Sequence, residues 1–257
     1  MSKFLKIAVA AAAVFSLQSQ AATVIDNFQS DKNWTISDTT LGGGGVWHSS
    51  STGLAGILGG QRDVFVQKLR DDNLIDPLNC PGVDCVEDTT HGVSASISTS
   101  NTFSFNQDSL MGGTAILRWD GISGPGDTIN LTGLGGADIS GNGVSLLVHT
   151  DANGVVATYE ILIQVWDMNG NQATFTQVMD STGTGFIPFG IPFGAFTNFA
   201  GTDFSNVGAV QVTFNSLNPV EIDVDISIKN IAIPEPASIA LAGLALLGLG
   251  AARRRKQ

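Results

Sequence analysis

Basic residues are scarce in this chain between its two ends. Residues 22–233 contain six of the 12 Lys and Arg residues but 22 of the 23 Asp and Glu residues, which gives them a net charge near −16. A surface of this charge repels phosphate backbones and anionic headgroups. Nucleic-acid binding is therefore not expected, and the compatible partners are cations and neutral sugars.

The groups that common hydrolases use are also sparse. No serine stands in a Gly-x-Ser-x-Gly elbow, and the only histidines are His48, His91 and His149. Glycoside hydrolysis needs two carboxylates that flank the scissile bond. Three acids that lie next to an aromatic residue, Asp120, Glu160 and Asp167, are the candidates. The sequence favours a non-catalytic protein. The alternative is a secreted polysaccharide hydrolase that uses these acids.

Cysteine is limited to two residues, Cys80 and Cys85, with a Pro-Gly turn between them. In an oxidising compartment this spacing predicts a small local disulfide. Two free thiols or a metal site are the alternatives, and His91 is the only nearby histidine that could join such a site. The short loop would constrain one excursion of the chain more than the whole fold.

The interior of the chain has the pattern of half-buried strands. Hydrophobic residues alternate with polar ones from Val220 to Lys229, a period of two that indicates a β-strand, and Asn/Asp-Gly turns separate further segments. No capped helical pattern appears in residues 22–233. We predict an all-β fold, an antiparallel, jelly-roll-like β-sandwich of about ten strands. The predicted strands are Val24–Phe28, Asp63–Leu69, Val93–Thr99, Thr102–Asn106, Thr114–Trp119, Val144–Thr150, Val155–Trp166, Ala173–Met179, Val207–Phe214 and Val220–Ile231.

The order of these segments resembles a known group of domains. The opening strand Val24–Phe28, with Trp34 after it, and the closing strands Val207–Phe214 and Val220–Ile231 are similar to carbohydrate-binding jelly rolls of the galactose-binding type. The resemblance implies that the opening strand pairs with the closing strand. It also implies a sugar ligand, for which a tryptophan ring offers an apolar surface. Trp47, beside His48 and after a glycine loop, is the candidate glycan contact.

Oxygen-rich turns make a structural calcium ion the one cofactor to consider, and no other is expected. Calcium takes six to eight oxygen ligands, which the ends of a β-sandwich can supply. Asn and Asp also favour such turns without any metal. The candidate ligands are the turn pairs Asp151 with Asn153 and Asp167 with Asn169, together with Asp26 and Asp225 where the first and last strands would meet.

The two ends of the chain are targeting segments. At the N-terminus, Lys3 and Lys6 precede the apolar run Ile7–Leu17, and small residues stand before a cut after Ala21, so residues 1–21 are a predicted signal peptide. At the C-terminus, Pro234, Glu235 and Pro236 precede an uncharged run over 237–252 and a basic tail over 253–257. As a helix this run is about 24 Å long, a minimal membrane span. The terminal cations would remain cytoplasmic.

This C-terminal arrangement resembles the sorting signal of PEP-CTERM proteins. The resemblance implies a recognition element of Pro234, Glu235 and Pro236, and a retention element of the apolar helix with Arg253, Arg254 and Arg255. It further implies export by the secretion machinery, a membrane-anchored precursor, and an exosortase-type membrane protease-transpeptidase as partner. An unprocessed anchor is the alternative. We expect an exported envelope or matrix protein associated with extracellular polysaccharide, with residues 22–233 as its one domain.

Overall fold

The computed structural model describes residues 23–72, 89–122, 128–151, 158–180, 185–215 and 223–234. These residues form two antiparallel sheets packed as a sandwich, so the prediction of an all-β sandwich is confirmed. Their helical elements are three single turns of 3-10 helix: Leu58–Gly60, Phe193–Ala195 and Phe199–Gly201. A helix with the length and apolar character needed to span a membrane is not found in the described ranges.

Thirteen strands are present in the described part of the chain. In chain order they are β1 (Thr23–Asp26), β2 (Trp34–Asp38), β3 (Val46–Ser49), β4 (Asp63–Asp71), β5 (Val93–Ile97), β6 (Phe103–Gln107), β7 (Met111–Trp119), β8 (Gly143–Asp151), β9 (Thr158–Asp167), β10 (Gln172–Asp180), β11 (Ile187–Pro192), β12 (Val207–Phe214) and β13 (Asp225–Ile233). The seven-stranded sheet has the order β11-β8-β13-β6-β5-β2, with β1 also paired to β13. The six-stranded sheet has the order β10-β9-β12-β7-β4-β3.

The core lies between the two sheets and follows from the alternation within each strand. In the six-stranded sheet, Ile161 and Ile163 of β9, Val212 of β12 and Leu117 of β7 are fully buried on the inner face. Successive side chains of a strand point to opposite faces, so the residues between them lie on the outer face. Each buried aliphatic side chain of this size contributes about 1.5–3 kcal/mol to folding.

The first and last strands pair, as the resemblance to carbohydrate-binding jelly rolls implied. β1 and β13 are antiparallel, with Thr23 opposite Ile233 and Asp26 opposite Ile231. β13 also pairs with β8, and Ile231 and Ala232 therefore have a partner in each of two strands. Ile233 is buried, and Pro234, directly after it, is exposed.

Three short strands, β2, β3 and β11, were not predicted from the sequence. β2 and β3 have only five and four residues, and β11 contains Pro188 and Pro192. All three lie at sheet edges. Proline has no backbone N–H to donate. It is tolerated in an edge strand because one side of that strand needs no hydrogen bonds to a neighbouring strand. The predicted segments Val155–Trp166 and Val220–Ile231 begin outside the described residues.

Candidate functional site

The four tryptophans have different environments. Trp119 lies in the core, and its Nε1 donates to Asp26 Oδ2 over 3.0 Å. Trp166 is buried near the end of β9. Trp34 is half-buried with its ring centroid 4.1 Å from that of His48. Trp47 is half-buried on the edge strand β3 and lies on the same face of the sheet as a row of polar side chains.

That row crosses the outer face of the six-stranded sheet. The register places Gln164 of β9 opposite Gln211 of β12, and Gln211 opposite Arg118 of β7. Arg118 Nε donates to Gln211 Oε1 over 3.0 Å, and Gln211 Nε2 donates to Gln164 Oε1 over 3.1 Å. Asp63 of β4 follows Arg118 in the register. The side chains are therefore fixed in position by one another.

Trp47 lies beside this polar row. It belongs to a second row of side chains on the same face, which is more apolar and continues with Phe65. Its ring centroid is 4.8 Å from that of Phe65, and the Arg118 guanidinium carbon lies 4.7 Å from the Trp47 ring. A cation held over an indole face is attracted by the electrons of the ring. Ile116 of β7 continues the apolar row from Phe65. We call Trp47, Phe65, Arg118, Gln211 and Gln164 the outer-face site.

Gly45 shapes the turn that brings Trp47 to this face. Its φ is +69°, in the left-handed region that favours glycine. The position of a Cβ atom at residue 45 is occupied by the Phe65 ring. The glycine run that precedes Trp47 therefore has a packing role at its last residue. This role could not be read from the run itself, because Phe65 is twenty residues away.

The outer-face site has the chemistry for a neutral, hydroxyl-rich ligand. The half-buried ring of Trp47 offers an apolar surface, and the amide and guanidinium groups of the buried residues Gln211 and Arg118 lie on the same face of the sheet. Protein sites for sugars and similar ligands combine such surfaces with a few fixed polar groups. Sequence analysis indicated Trp47 but not Arg118, Gln211 or Gln164. Their only local signal is that each is a polar residue between two apolar residues of its strand.

Asp26 and Asp225, two of the candidate calcium ligands, lie near opposite ends of β13. Asp26 is opposite Ile231, whereas Asp225 is opposite Asp151 at the other end of β13, so pairing of the first and last strands does not bring Asp26 to Asp225. Asn153 lies outside the described residues. In the part of the chain that the structure describes, there is no group of three or more His, Cys, Asp or Glu residues arranged to hold a metal ion.

Asp26 is instead part of a buried ion pair. Its Oδ2 lies 2.6 Å from the Arg62 guanidinium, and both side chains have no exposed surface. The amide of Phe28 also donates to its Oδ1 over 2.8 Å. Burial raises the pKa of Asp26, and the Arg62 charge and the hydrogen bonds from Phe28 and Trp119 oppose that rise. A buried charge needs such a partner.

Asp167 organises the turn between β9 and β10. Its carboxylate accepts hydrogen bonds from the amides of Asn169, Asn171 and Asp203 and from Asn171 Nδ2, at 2.8–3.2 Å. Burial acts to raise the pKa of Asp167, but these four hydrogen bonds outweigh it and lower the pKa below its ordinary value. Asn169 contributes through its backbone amide. The arrangement accounts for this Asp/Asn turn as local structure, with the carboxylate already well supplied with donors.

Two of the acids named for the alternative, a secreted hydrolase, are too far apart to flank one glycosidic bond. Glu160 and Asp167 are seven residues apart along β9, which corresponds to about 23 Å in an extended strand. The two carboxylates of a glycosidase are about 5–10 Å apart. Asp120 is buried, and its Oδ2 accepts a hydrogen bond from the amide of Asn130 over 2.8 Å.

Several predicted features lie outside the described residues: Cys80, Cys85, Glu235, Pro236, the apolar run 237–252 and the cations Arg253, Arg254 and Arg255. The disulfide and the membrane helix therefore remain predictions. Of the predicted recognition element, the structure describes Pro234. The sequence also gave no indication of the buried Lys68, whose Nζ contacts Asp71 Oδ2 at 2.9 Å.

The comparisons with known proteins concern the fold and the C-terminus separately. The fold defines a β-sandwich of two antiparallel sheets. Residues 232–256 match the model of the PEP-CTERM protein-sorting motif, so the chain carries this motif and is an exported protein. The match begins within β13, at Ala232. No curated protein matches the chain.

Solved structures with a similar arrangement include carbohydrate-binding modules. A family 11 carbohydrate-binding module of a cellulosomal cellulase from Clostridium thermocellum is 11% identical, with 85% of this chain and 98% of that chain covered and a TM-score of 0.37. The same module in complex with a β-1,3-1,4-mixed-linked tetrasaccharide also gives 0.37, at 11% identity, with 85% and 99% covered. An arabinose-bound α-L-arabinofuranosidase gives 0.33 at 14% identity, with 82% of this chain but 26% of that chain covered.

Proposed function

We propose that this chain is a non-catalytic protein that binds extracellular polysaccharide through the outer-face site. The observation that carries the proposal is the fixed row Arg118, Gln211 and Gln164 beside the half-exposed ring of Trp47. A pyranose has an apolar CH-rich side, which stacks on an aromatic ring, and hydroxyl groups at its rim. In this site the rim of a sugar on Trp47 would meet the amide and guanidinium groups.

The charge of the domain supports a neutral polysaccharide. Residues 22–233 have a net charge near −16, and two of their six cations, Arg62 and Lys68, are buried in ion pairs. Arg118 is also buried, with its Nε directed to Gln211. Long-range attraction therefore does not favour an anionic polymer. Recognition would depend on short-range stacking and hydrogen bonds, which salt screens little.

We propose exosortase processing for the sorting step, with the cell envelope or the extracellular polysaccharide layer as destination. The matched motif supports export, and its first proline is exposed directly after a buried strand. An enzyme could therefore reach the Pro-Glu-Pro segment without opening the sandwich. Until then the apolar run and the basic tail would retain the precursor in the membrane.

Replacing Trp47 by alanine tests the binding site. We expect the Kd for the polysaccharide of the producing bacterium to rise at least about tenfold, equivalent to about 1.4 kcal/mol, because the stacking surface is lost. Gln211→Ala keeps the Trp47 ring but removes an amide of the polar row, so it should also weaken binding. Binding is measured by titration calorimetry, with circular dichroism to show that each variant is folded.

Phe199→Ala is the matched control for Trp47→Ala. Phe199 is an exposed aromatic residue outside the outer-face site, so its removal should leave the Kd unchanged. Unchanged binding by both the Trp47 and the Gln211 variant would assign the ligand to another surface. Turnover of the polysaccharide by the parent chain would favour the alternative, a secreted hydrolase.

Mass spectrometry of the exported chain tests the sorting proposal. We expect the mature parent to lack the basic tail, and a Glu235→Ala chain to keep an intact C-terminus because its recognition element is altered. A strain without exosortase should give the same intact C-terminus for the parent. Intact C-termini alone in the parent strain would contradict processing. This outcome would leave the binding proposal untouched.

A further inference from the structure

The four edge strands that end the main strand order of each sheet differ in how well they are protected against pairing with another chain. β3 has four residues, β2 has five and includes Asp38, and β11 contains two prolines. β10 has nine residues, Gln172–Asp180, with no proline and no basic residue. Natural proteins protect edges by short strands, prolines and charges. β10 has one of these devices, the charge of Asp180 at its end.

Among the described residues, no strand pairs with the outer edge of β10 beyond Thr174. Near its start, Thr174 and Thr197 exchange two backbone hydrogen bonds, at 2.8 and 3.3 Å, so the amide and carbonyl of Thr174 point away from β9. Alternation along the strand gives Thr176 and Val178 the same direction. Both residues are exposed, and within the described ranges the backbone hydrogen bonds on this side stop at Thr174.

Apolar side chains surround the open edge. Val178 and Ile187 are each 51% exposed, and Phe199 is 44% exposed. Ile187 begins β11, the edge strand of the opposite sheet. The two edge strands lie near each other, since the ring centroids of Phe175 in β10 and Phe189 in β11 are 6.5 Å apart. Phe199 belongs to the 3-10 helix that follows Thr197. The edge therefore combines unpaired backbone groups with uncovered apolar surface.

We infer that β10 pairs with β10 of a second copy of this chain, antiparallel about a two-fold axis at Gln177. Thr176 would then face Val178 of the other copy, and two six-stranded sheets would become one of twelve strands. The occupant follows from charge. Elsewhere two strongly acidic domains repel each other, whereas β10 has Asp180 as its only charge. The two Asp180 residues would be about 20 Å apart in this register.

Cysteine crosslinking of the full-length chain tests this interface, which goes beyond the proposed glycan binding. In a Cys80→Ser, Cys85→Ser background, Gln177→Cys places two cysteines opposite each other. Their Cα atoms would be about 4.5 Å apart in a non-hydrogen-bonded pair, within disulfide reach. With a mild oxidant we expect a band of twice the chain mass on a non-reducing gel. Thr35→Cys, exposed on the edge strand β2, is the matched control and should remain monomeric.

A charge at the axis provides the second arm. Adding Thr176→Glu to the Gln177→Cys chain places each new glutamate diagonally across from the glutamate and Asp180 of the other copy, and the crosslinked band should fall at least about fivefold because like charges repel. Equal crosslinking at residues 35 and 177, no crosslink at 177, or a crosslink to a different protein would each overturn the inference. Circular dichroism confirms that the glutamate variant is folded, so that unfolding is not mistaken for loss of pairing.

Discussion

Asp26→Asn is expected to lower the free energy of unfolding by about 3–5 kcal/mol, because it leaves Arg62 buried without its main counter-ion. The carboxylate lies 2.6 Å from the guanidinium and both are fully buried. The remaining acid, Asp31, is 4.0 Å from Arg62 and partly exposed. Trp119, which donates to Asp26, also reports the change. Urea unfolding followed by tryptophan fluorescence measures it.

Asp72→Asn is the matched control for this large effect. Asp72 also pairs with an arginine, Arg70, at 2.7 Å, but both side chains are about one-third exposed. An exposed pair of this kind contributes less than about 1 kcal/mol. Equal losses in the two variants would mean that burial of the Asp26–Arg62 pair does not set its importance.

Asp167→Ala is expected to lower the free energy of unfolding by about 3 kcal/mol or more. The substitution removes four hydrogen bonds to a carboxylate, and each such bond to a charged group contributes about 1.5–3 kcal/mol in favourable cases. The bonds join the β9–β10 turn to the segment at Asp203, so two loops lose their common anchor. Urea unfolding at neutral pH measures the loss.

The same carboxylate predicts a pH dependence. The pKa of Asp167 is lowered in the folded state, so its stabilisation is present above the ordinary Asp pKa and is lost as the pH falls towards the folded value. The difference in unfolding free energy between the parent and Asp167→Asn should therefore shrink below about pH 4. Asp138→Asn, an exposed carboxylate whose pKa is lowered by Ser140, should show a smaller difference. A constant difference for Asp167→Asn would contradict this origin.

Local patterns were sufficient for most strands and for one residue of the outer-face site. Alternation located β9 and β12 because apolar residues occupy every second position on one face of each strand. Trp47 could be predicted as a glycan contact because that prediction depended only on its neighbours in the sequence. The short edge strand β11 was missed because two prolines hide its pattern.

Long-range pairing is what the sequence could not supply. Gln211 meets Arg118 across 93 positions, and Arg62 meets Asp26 across 36. Neither register follows from alternation, which fixes the face of a residue but not its opposite neighbour. Lys68 shows the same limit. It occupies an inner position after Val64 and Val66, and its ammonium is satisfied by Asp71 and by the carbonyls of Thr39 and His91.

The position at which β13 ends determines what the folded domain would lose if the C-terminal residues were removed. Ile233, opposite Thr23, is the last residue with a partner in the ladder, and Pro234 already faces the surrounding water. Loss of everything beyond Pro234 would take no residue from the thirteen strands. Tethered and untethered forms would thus share one folded body and differ only in how far they can diffuse.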